Sequence, residues 1–340
     1  MAIYLHEKYA GEIQSKFTRE SLISGRLSND YSFTGVKTVN ITTPLTVPMV
    51  DYTRTGSNRY GTPQEMQDVV QEMTLTQDKS FSVTIDKGNN ADQNGVKAAG
   101  KMLALQIAEQ AVPTMDKYCF EMLAQKAGKI VADTEPTKSN IVTRITAGTI
   151  YMDDHEVPAD GRTLYVTSKM YSYLCLSDEF QKCDPLLEKS LAKGQVGTFD
   201  GMAVVKVPAG RWPANVNFII VYKGSACAPV KLNDTKFHTD PPGISGSLLE
   251  GRQYYDLFVY GAKCDGVYAD VLSGKVVATP TISGKTISHP DEEATVVHTI
   301  DGSDPRYSKT AIVGKTASVA TGVKAYAYKA GSFPSAVASN

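Results

Sequence analysis

No apolar run in this chain approaches the ~20 residues that a helix needs to cross a bilayer, and the opening MAIYLHEKYAGEIQSKF lacks the charged-then-apolar order of a secretory leader. No membrane role is expected, and folding in a cytoplasm is. Cysteine is scarce: Cys119, Cys175, Cys183, Cys227 and Cys264 are odd in number and scattered, with no CxxC spacing. That argues against a disulfide framework and a zinc site, and for free, mostly buried thiols. Neither sign of charge dominates. With 35 Lys and Arg against 36 Asp and Glu, the net charge is −1, which gives no electrostatic footprint for nucleic acid or an acidic membrane surface. Any contact with nucleic acid must be local or weak. A nucleophile elbow, a phosphate loop, a dinucleotide fingerprint and an HExxH helix are all missing.

The polar clusters that remain read as turns. Asp153-Asp154-His155-Glu156 has the groups to ligate a cation or to supply an acid and a base, but it closes a predicted helix just before Val157-Pro158, where a solvated turn is the better reading. His289 and His298 stand near Asp291, Glu292 and Glu293 at spacings that match no metal motif. In Asp301-Gly302-Ser303-Asp304-Pro305 the first aspartate can bond its own backbone, the glycine takes a positive φ and the proline fixes the exit. Too few carboxylates are in register there for calcium. Tyr307, Tyr326, Tyr328 and Phe333 could form a sugar platform, though most should be core or scattered surface. No catalytic residue, cofactor or metal is expected.

What is present is a long helical period. From Asn90 to Gly128, Val96, Ala99, Leu103, Ile107 and Ala111 mark one face, and Met115, Tyr118, Met122 and Ala127 continue it. Asn90 suits the N-cap with Gln93 reaching back, and Gly128 suits the left-handed residue past the end. Such a helix spans roughly 55 Å and would act as a spine. Pro113 in its middle predicts a kink or a handover between two helices.

Around this spine the chain of 340 residues falls into regions. Residues 1 to about 35 are polar and turn-rich, with Ile13, Phe17 and Ile23 the only amphipathic trace, so this arm is either disordered or laid against something else. Val39 to Val47 alternates as a strand. The segment from Asp51 to Asp68 is a glycine-rich excursion carrying Arg54 and Arg59, of a length that is unusual in compact domains and tends to be functional. Met73 and Leu75, a turn at Gln77-Asp78-Lys79-Ser80, then Phe81, Val83 and Ile85 predict a hairpin leading into the spine. Beyond it come a helix from about Ser139, a strand Thr163 to Val166, a helix capped by Ser168, a hairpin turning on Asp200-Gly201, and strands at Phe218 to Tyr222, from Tyr254, and at Gly266 to Asp270. The class is α+β. After Leu272 the texture changes, and Thr279 to Asn340 reads as a separate small all-β sandwich joined through a flexible Ser273-Gly274-Lys275.

The order of these pieces, including VVQEMTLTQDKSFSVTID, AVPTMDKYCFEMLAQKAG, VPADGRTLYVTSKMYSYL, GQVGTFDGMAVVKVP and YYDLFVYGAKCDGVYAD, resembles the major capsid proteins of tailed bacteriophages, of the Hong Kong ninety-seven type. The resemblance implies an N-terminal arm over 1–35 and an extended loop, tipped by Val47 to Asp68, within a peripheral domain over 36–134 that holds the spine helix 90–128. It implies a mainly axial domain over 135–272 that returns to the peripheral domain near its end. It further implies a non-enzymatic subunit that joins copies of itself into hexamers and pentamers of an icosahedral head, with Arg54 and Arg59 at assembly contacts. The other implied partners are a separate scaffolding protein (or none), portal and head-completion proteins, and packaged DNA held by weak non-specific contact. The implied place is the virion, after folding in a host bacterial cytoplasm.

The tail is similar to the immunoglobulin-like module of chitobiase-type proteins, with TIDGSDP before VKAYAYKAGSFPS, although Ile300 and His298 stand where aromatic residues are common. On a capsid it would decorate the outside, with a surface polysaccharide as a ligand to consider. The alternatives are a bacterial compartment shell of the same fold and, from another class, a carbohydrate-binding surface adhesin, which would call for a secretory leader.

Overall fold

A helix laid along one face of a mixed six-stranded sheet organises the chain. The computed structural model describes residues 20–31, 33, 36–63, 65–92, 99–177 and 195–340. In order, strands β1 (Thr38–Pro44), β2 (Asp68–Thr74) and β3 (Gln77–Asp86) lead into helix α1 (Lys87–Asp92). Helix α2 (Ala99–Gln106) runs through a π-turn at Ile107–Ala111 into α3 (Val112–Gln125). Then follow β4 (Lys129–Asp133), α4 (Ile141–Asp154), β5 (Arg162–Thr167), α5 (Ser168–Cys175), β6 (Gln195–Phe199), β7 (Met202–Val207) and β8 (Val216–Tyr222). Strands β9 (Ala226–Cys227), β10 (Val230–Thr239), β11 (Gly246–Tyr255), β12 (Phe258–Val259) and β13 (Val267–Leu272) complete the main body. The tail holds β14 (Thr281–Ser283), β15 (Thr286–Ser288), β16 (Thr295–Thr299), β17 (Ile312–Val313), β18 (Lys324–Tyr328) and β19 (Ala338–Ser339).

The central sheet has the order β4-β13-β8-β5-β7-β6. β4 is parallel to β13 and β5 to β7, and the other pairs are antiparallel. Strand β8, VNFIIVY, is apolar almost throughout because both of its faces are covered. Period-two alternation sends Phe218 and Ile220 to one side, against Ile141, Ile145 and Met152 of α4 and Met170 and Leu174 of α5. Ile219 and Val221 face the other side, against Phe120, Leu123, Ala124 and Ala127 of the spine. Each large apolar side chain so buried contributes about 1.5–3 kcal/mol.

The spine differs from the sequence expectation at both ends. On the N-terminal side, helix α1 begins at Lys87, where the Asp86 carboxylate accepts the Asn89 N–H at 2.9 Å, so Asp86 caps and Asn90 lies inside α1. Gln93 lies outside the described residues. Gly128 is not left-handed. It is glycine because the backbone of Cys264 passes so close that an added Cβ would sit 2.3 Å from its carbonyl oxygen. At the centre, the Val112 N–H bonds the carbonyl of Ile107 in the π-turn that immediately precedes Pro113. Proline has no N–H to give and presses on the carbonyl four residues back, and the wider turn makes room for it.

The hairpin expected of β2 and β3 does not form. β2 pairs with β1, whereas β3 pairs with β11 from Gln77↔Tyr255 to Asp86↔Gly246, in a sheet of order β10-β11-β3. Gln77 to Ser80, read as a turn, are strand residues: they contain no glycine to take a positive φ, and β11 offers a ten-residue partner. The change of sheet falls at Thr76, whose N–H and hydroxyl both bond the Asp256 carboxylate, at 2.7 and 2.8 Å. Smaller shifts are that Thr167, not Ser168, caps α5, and that the strand expected from Tyr254 is divided, Tyr254 and Tyr255 ending β11 and Phe258–Val259 forming β12, before a short 3-10 helix at Gly261–Gly266.

Two expected extensions are folded onto this body. Of the arm, residues 1–19, with Ile13 and Phe17, lie outside the described residues, but Leu22, Ile23 and Leu27 are buried in the spine core. The tail makes a sheet of order β17-β16-β18-β19 and a hairpin β14-β15 over a small core of Val277, Ile287, Val296, Val323 and four alanines. Its junction is pinned, not loose. The Phe333 N–H donates to Lys275 O at 2.7 Å, Val277 N–H returns to Phe333 O at 2.9 Å, and the Phe333 ring enters the spine core beside Trp212.

Two outcomes follow from this packing. Phe333→Ala should lower the stability read by fluorescence of Trp212, the chain's one tryptophan, by about 3 kcal/mol; a tail on a free hinge would leave that transition unmoved. Gly128→Ala should cost about 3 kcal/mol in the same denaturant titration, whereas Gly100→Ala, in α2 with open space around it, should gain about 1 kcal/mol.

Candidate protein–protein interface

The two-stranded ribbon β1–β2 carries the glycine-rich excursion. Its register runs from Thr38↔Thr74 to Pro44↔Asp68, and Leu45 N–H extends it by bonding Gln67 O at 2.7 Å. At the tip, Thr53 N–H bonds Arg59 O at 3.1 Å, and Gly56, Asn58 and Gly61 take positive φ. Tyr52 and Tyr60 meet edge to face with ring centroids 5.0 Å apart. Leu45, Val47, Val50, Tyr52 and Met66 are all exposed, Tyr60 is 87% exposed and Met49 100%. Scattered single apolar residues on a surface are ordinary, but this density on one loop makes it a candidate interface. Arg54 and Arg59 stand in the same loop, both exposed; Arg59 Nε donates to Gly56 O at 3.2 Å, which shapes the tip.

The root of the ribbon is rigid by contrast. Met73 and Leu75 are fully buried, with Phe33, Cys227 and Tyr260 around them. Gln71 uses both ends of its amide, donating to Val259 O and accepting from Gly261 N–H, each at 2.8 Å. From the tail, Lys309 N–H bonds Val70 O at 2.9 Å and Lys309 Nζ pairs with Glu72 at 3.0 Å.

The other residues singled out by sequence are dispersed. Pro113 lies in the spine at the π-turn. Asp200 and Gly201, with φ of 49° and 73°, make the tight turn between β6 and β7. Asp153 pairs with Arg162 at 2.6 Å, and Glu156 has a φ of 56° in the turn that ends α4. His289 uses both ring nitrogens on backbone, accepting from Asp291 N–H at Nδ1 and facing Ala278 O from Nε2 at 2.8 Å. His298 is buried, its Nδ1 on Gly314 O. The four aromatics do not form one platform: Tyr307 and Phe333 face the main body, and only Tyr326 and Tyr328 lie together, 6.0 Å apart. In the Asp301 turn, Gly302 has a φ of 74°, and Asp301 accepts from Ser303 N–H and from the Ser303 and Thr310 hydroxyls. Burial raises its carboxyl, but those bonds outweigh it and leave the group below its ordinary value.

Among the described residues no group of three or more His, Cys, Asp or Glu stands close enough to hold a metal ion. Burial pushes the Cys227 thiol up to about 11 and Cys264 to about 12, which suits packing and not nucleophilic attack. The sequence reading passed over the buried ion pairs and acceptors. Asp116 accepts from Arg211 at 2.8 Å, the Ser21 hydroxyl at 2.7 Å and Leu22 N–H at 3.1 Å. Asp256 accepts from Thr76, Tyr118 and Leu257. Asp270 accepts from Asn217 and both forks of Arg144, and burial still holds its carboxyl above the ordinary value. Asp116 had a legible signal, since it falls on the apolar stripe with Phe120 and Leu123; the partners of all three are far away in sequence.

No protein-family model and no characterised protein sequence matches this chain. Solved structures do. One from Mycobacterium phage Che8 is similar with a TM-score of 0.63 at 14% identity, covering 79% of this chain and 98% of that one. The capsid structure of the cyanophage P-SCSP1u gives 0.63 at 13% identity over 79% and 93%, and the bacteriophage PhiM1 mature capsid gives 0.60 at 14% over 80% and 93%. At these identities the likeness is one of fold: over about four fifths of its length, the chain shares the mixed α+β architecture of phage capsid structures.

Proposed function

We propose that this chain is a major capsid protein whose copies assemble into a closed icosahedral head through hexamers and pentamers. The observation that carries the reading is an extended loop, densely apolar and exposed, on a rigid root, within a fold shared with phage capsid structures. Exposed Met49, Val50 and Tyr60 cost nothing in the finished particle if a neighbouring subunit covers them, because burial then supplies the apolar stabilisation absent in the free subunit. Arg54 and Arg59 would meet carboxylates of that neighbour, where a desolvated pair is stronger than an exposed one. Residues 1–35 would be the arm, the segment 36–134 the loop and peripheral domain, 135–272 mainly the axial domain, and 279–340 an immunoglobulin-like module on the outer face. A subunit of this kind performs no chemistry. Its further partners would be a scaffolding protein, portal and head-completion proteins, and DNA held weakly, in keeping with the near-zero net charge.

Light scattering and electron microscopy of the purified chain across concentration and salt should show shells or rings; a compact monomer under every condition, even with a scaffold supplied, sinks the reading. Replacing Met49 and Tyr60 with glutamate, or reversing Arg54 and Arg59 to glutamate, should abolish or strongly weaken assembly. Each set should leave unfolding stability within about 0.5 kcal/mol of the parent, as exposed positions do.

A further inference from the structure

Among the described residues the ribbon β1–β2 joins no other sheet, and two strands alone are marginally stable in water. The direction in which it points the loop is therefore set at its root. One four-residue stretch of the tail reaches that root and the end of the spine together. Asp304 holds Arg306 by its N–H at 2.9 Å and by its guanidinium, with Nη2 on Oδ2 at 2.7 Å. So oriented, Arg306 Nη1 donates to Ala127 O at 3.0 Å and to Gly128 O at 2.9 Å, and Tyr307 OH donates to Lys126 O at 2.6 Å. Three successive carbonyls just past α3 are satisfied by the tail, and a cation sits at the negative end of the helix dipole. Tyr307 also lies against Gly261, where an added Cβ would come within 2.8 Å of it, and Gly261 is the residue that Gln71 of β2 bonds. Two residues on, Lys309 takes Val70 O and Glu72 of β2.

We infer that Arg306 to Lys309 form a clamp tying the C-terminal end of the spine helix to β2, so that the appended module fixes the direction in which the extended loop is presented. A cleft of about 370 Å³ lies beneath, bounded by Gln71, Glu72, Tyr118, Met122 and Tyr307; it gives the root room to swing once the clamp is out. The consequence for assembly rests on the capsid reading, whereas the clamp itself is a property of the single chain.

The two are separated by amide hydrogen exchange on the full chain at concentrations too low for assembly. In Arg306→Met, amides of residues 68–74 should exchange about tenfold faster, the effect expected of losing charged hydrogen bonds, with β5 and β8 unchanged. Lys309→Glu, half exposed and so tolerated by the fold, should raise the same amides about threefold, and adding Glu72→Lys should restore them. If the tail alone loosens in these variants and residues 68–74 keep their rates, the clamp is wrong, whatever the particle does. If the rates rise as expected but the unaltered chain never assembles, the clamp stands and the capsid reading falls.

Discussion

A single buried carboxylate holds the register of the spine. Asp116 is fully buried on the apolar face of α3, where an unpaired charge would cost several kcal/mol. Its acceptors are filled by Arg211 from the turn before β8 and by Ser21 and Leu22 from the N-terminal segment. Those partners can reach it only when the helix lies on the sheet in one rotation and the chain ahead of it has come down beside it. Asp256 does the same for the change of sheet at Thr76, and Asp270 for α4 against β13. The apolar faces supply the driving force for packing. The carboxylates decide which packing, because any slip of a turn strands a charge.

This division explains what could be read in the sequence. The spine stripe, the run in β8, the helices at 141–154 and 168–175 and the turn at Asp200-Gly201 are local periodicities or local turn chemistry, and each leaves its mark within a few residues. The pairing of the β10-β11-β3 sheet left none: VKLNDTKFHT and GSLLEGRQYY show no sustained apolar-polar alternation, and β3 is more than 150 residues from its partner. Gly128 illustrates the same limit at one residue. A glycine after a helix suggests a left-handed cap, yet its reason lies in the backbone of Cys264, which no local pattern could indicate. At the candidate interface, the length and glycine content of the loop were legible, but the pinning of its root by Gln71 and Lys309 was not.

The loop and its root embody opposite physical requirements. Exposed apolar groups recruit a partner only if they do not first collapse onto their own chain. Positive φ at Gly56, Asn58 and Gly61 and the Tyr52–Tyr60 pair give the tip a shape of its own, away from the core. A shaped tip on a loose hinge would lose in orientational entropy what it gains in contact area. Burial of Met73 and Leu75, with the amide of Gln71 used at both ends, supplies the stiffness.

The tail enters the same balance. Its own core includes four alanines, Ala294, Ala317, Ala325 and Ala327, which bury little apolar area each, and a unit of that size is marginal alone. Docking Phe333 into the spine core, and Arg306 and Tyr307 onto the end of the helix, gives the tail the area it lacks. The stabilisation runs both ways: what anchors the tail also satisfies the carbonyls past the spine and braces β2. An appendage held by a flexible linker could be gained or lost without consequence for the body, whereas one whose side chains complete a helix terminus has become part of the body's own structure. Substitutions in the turn that aims Arg306, at Asp301 or Asp304, should accordingly be felt at the ribbon, on the far side of the contact, as well as in the tail.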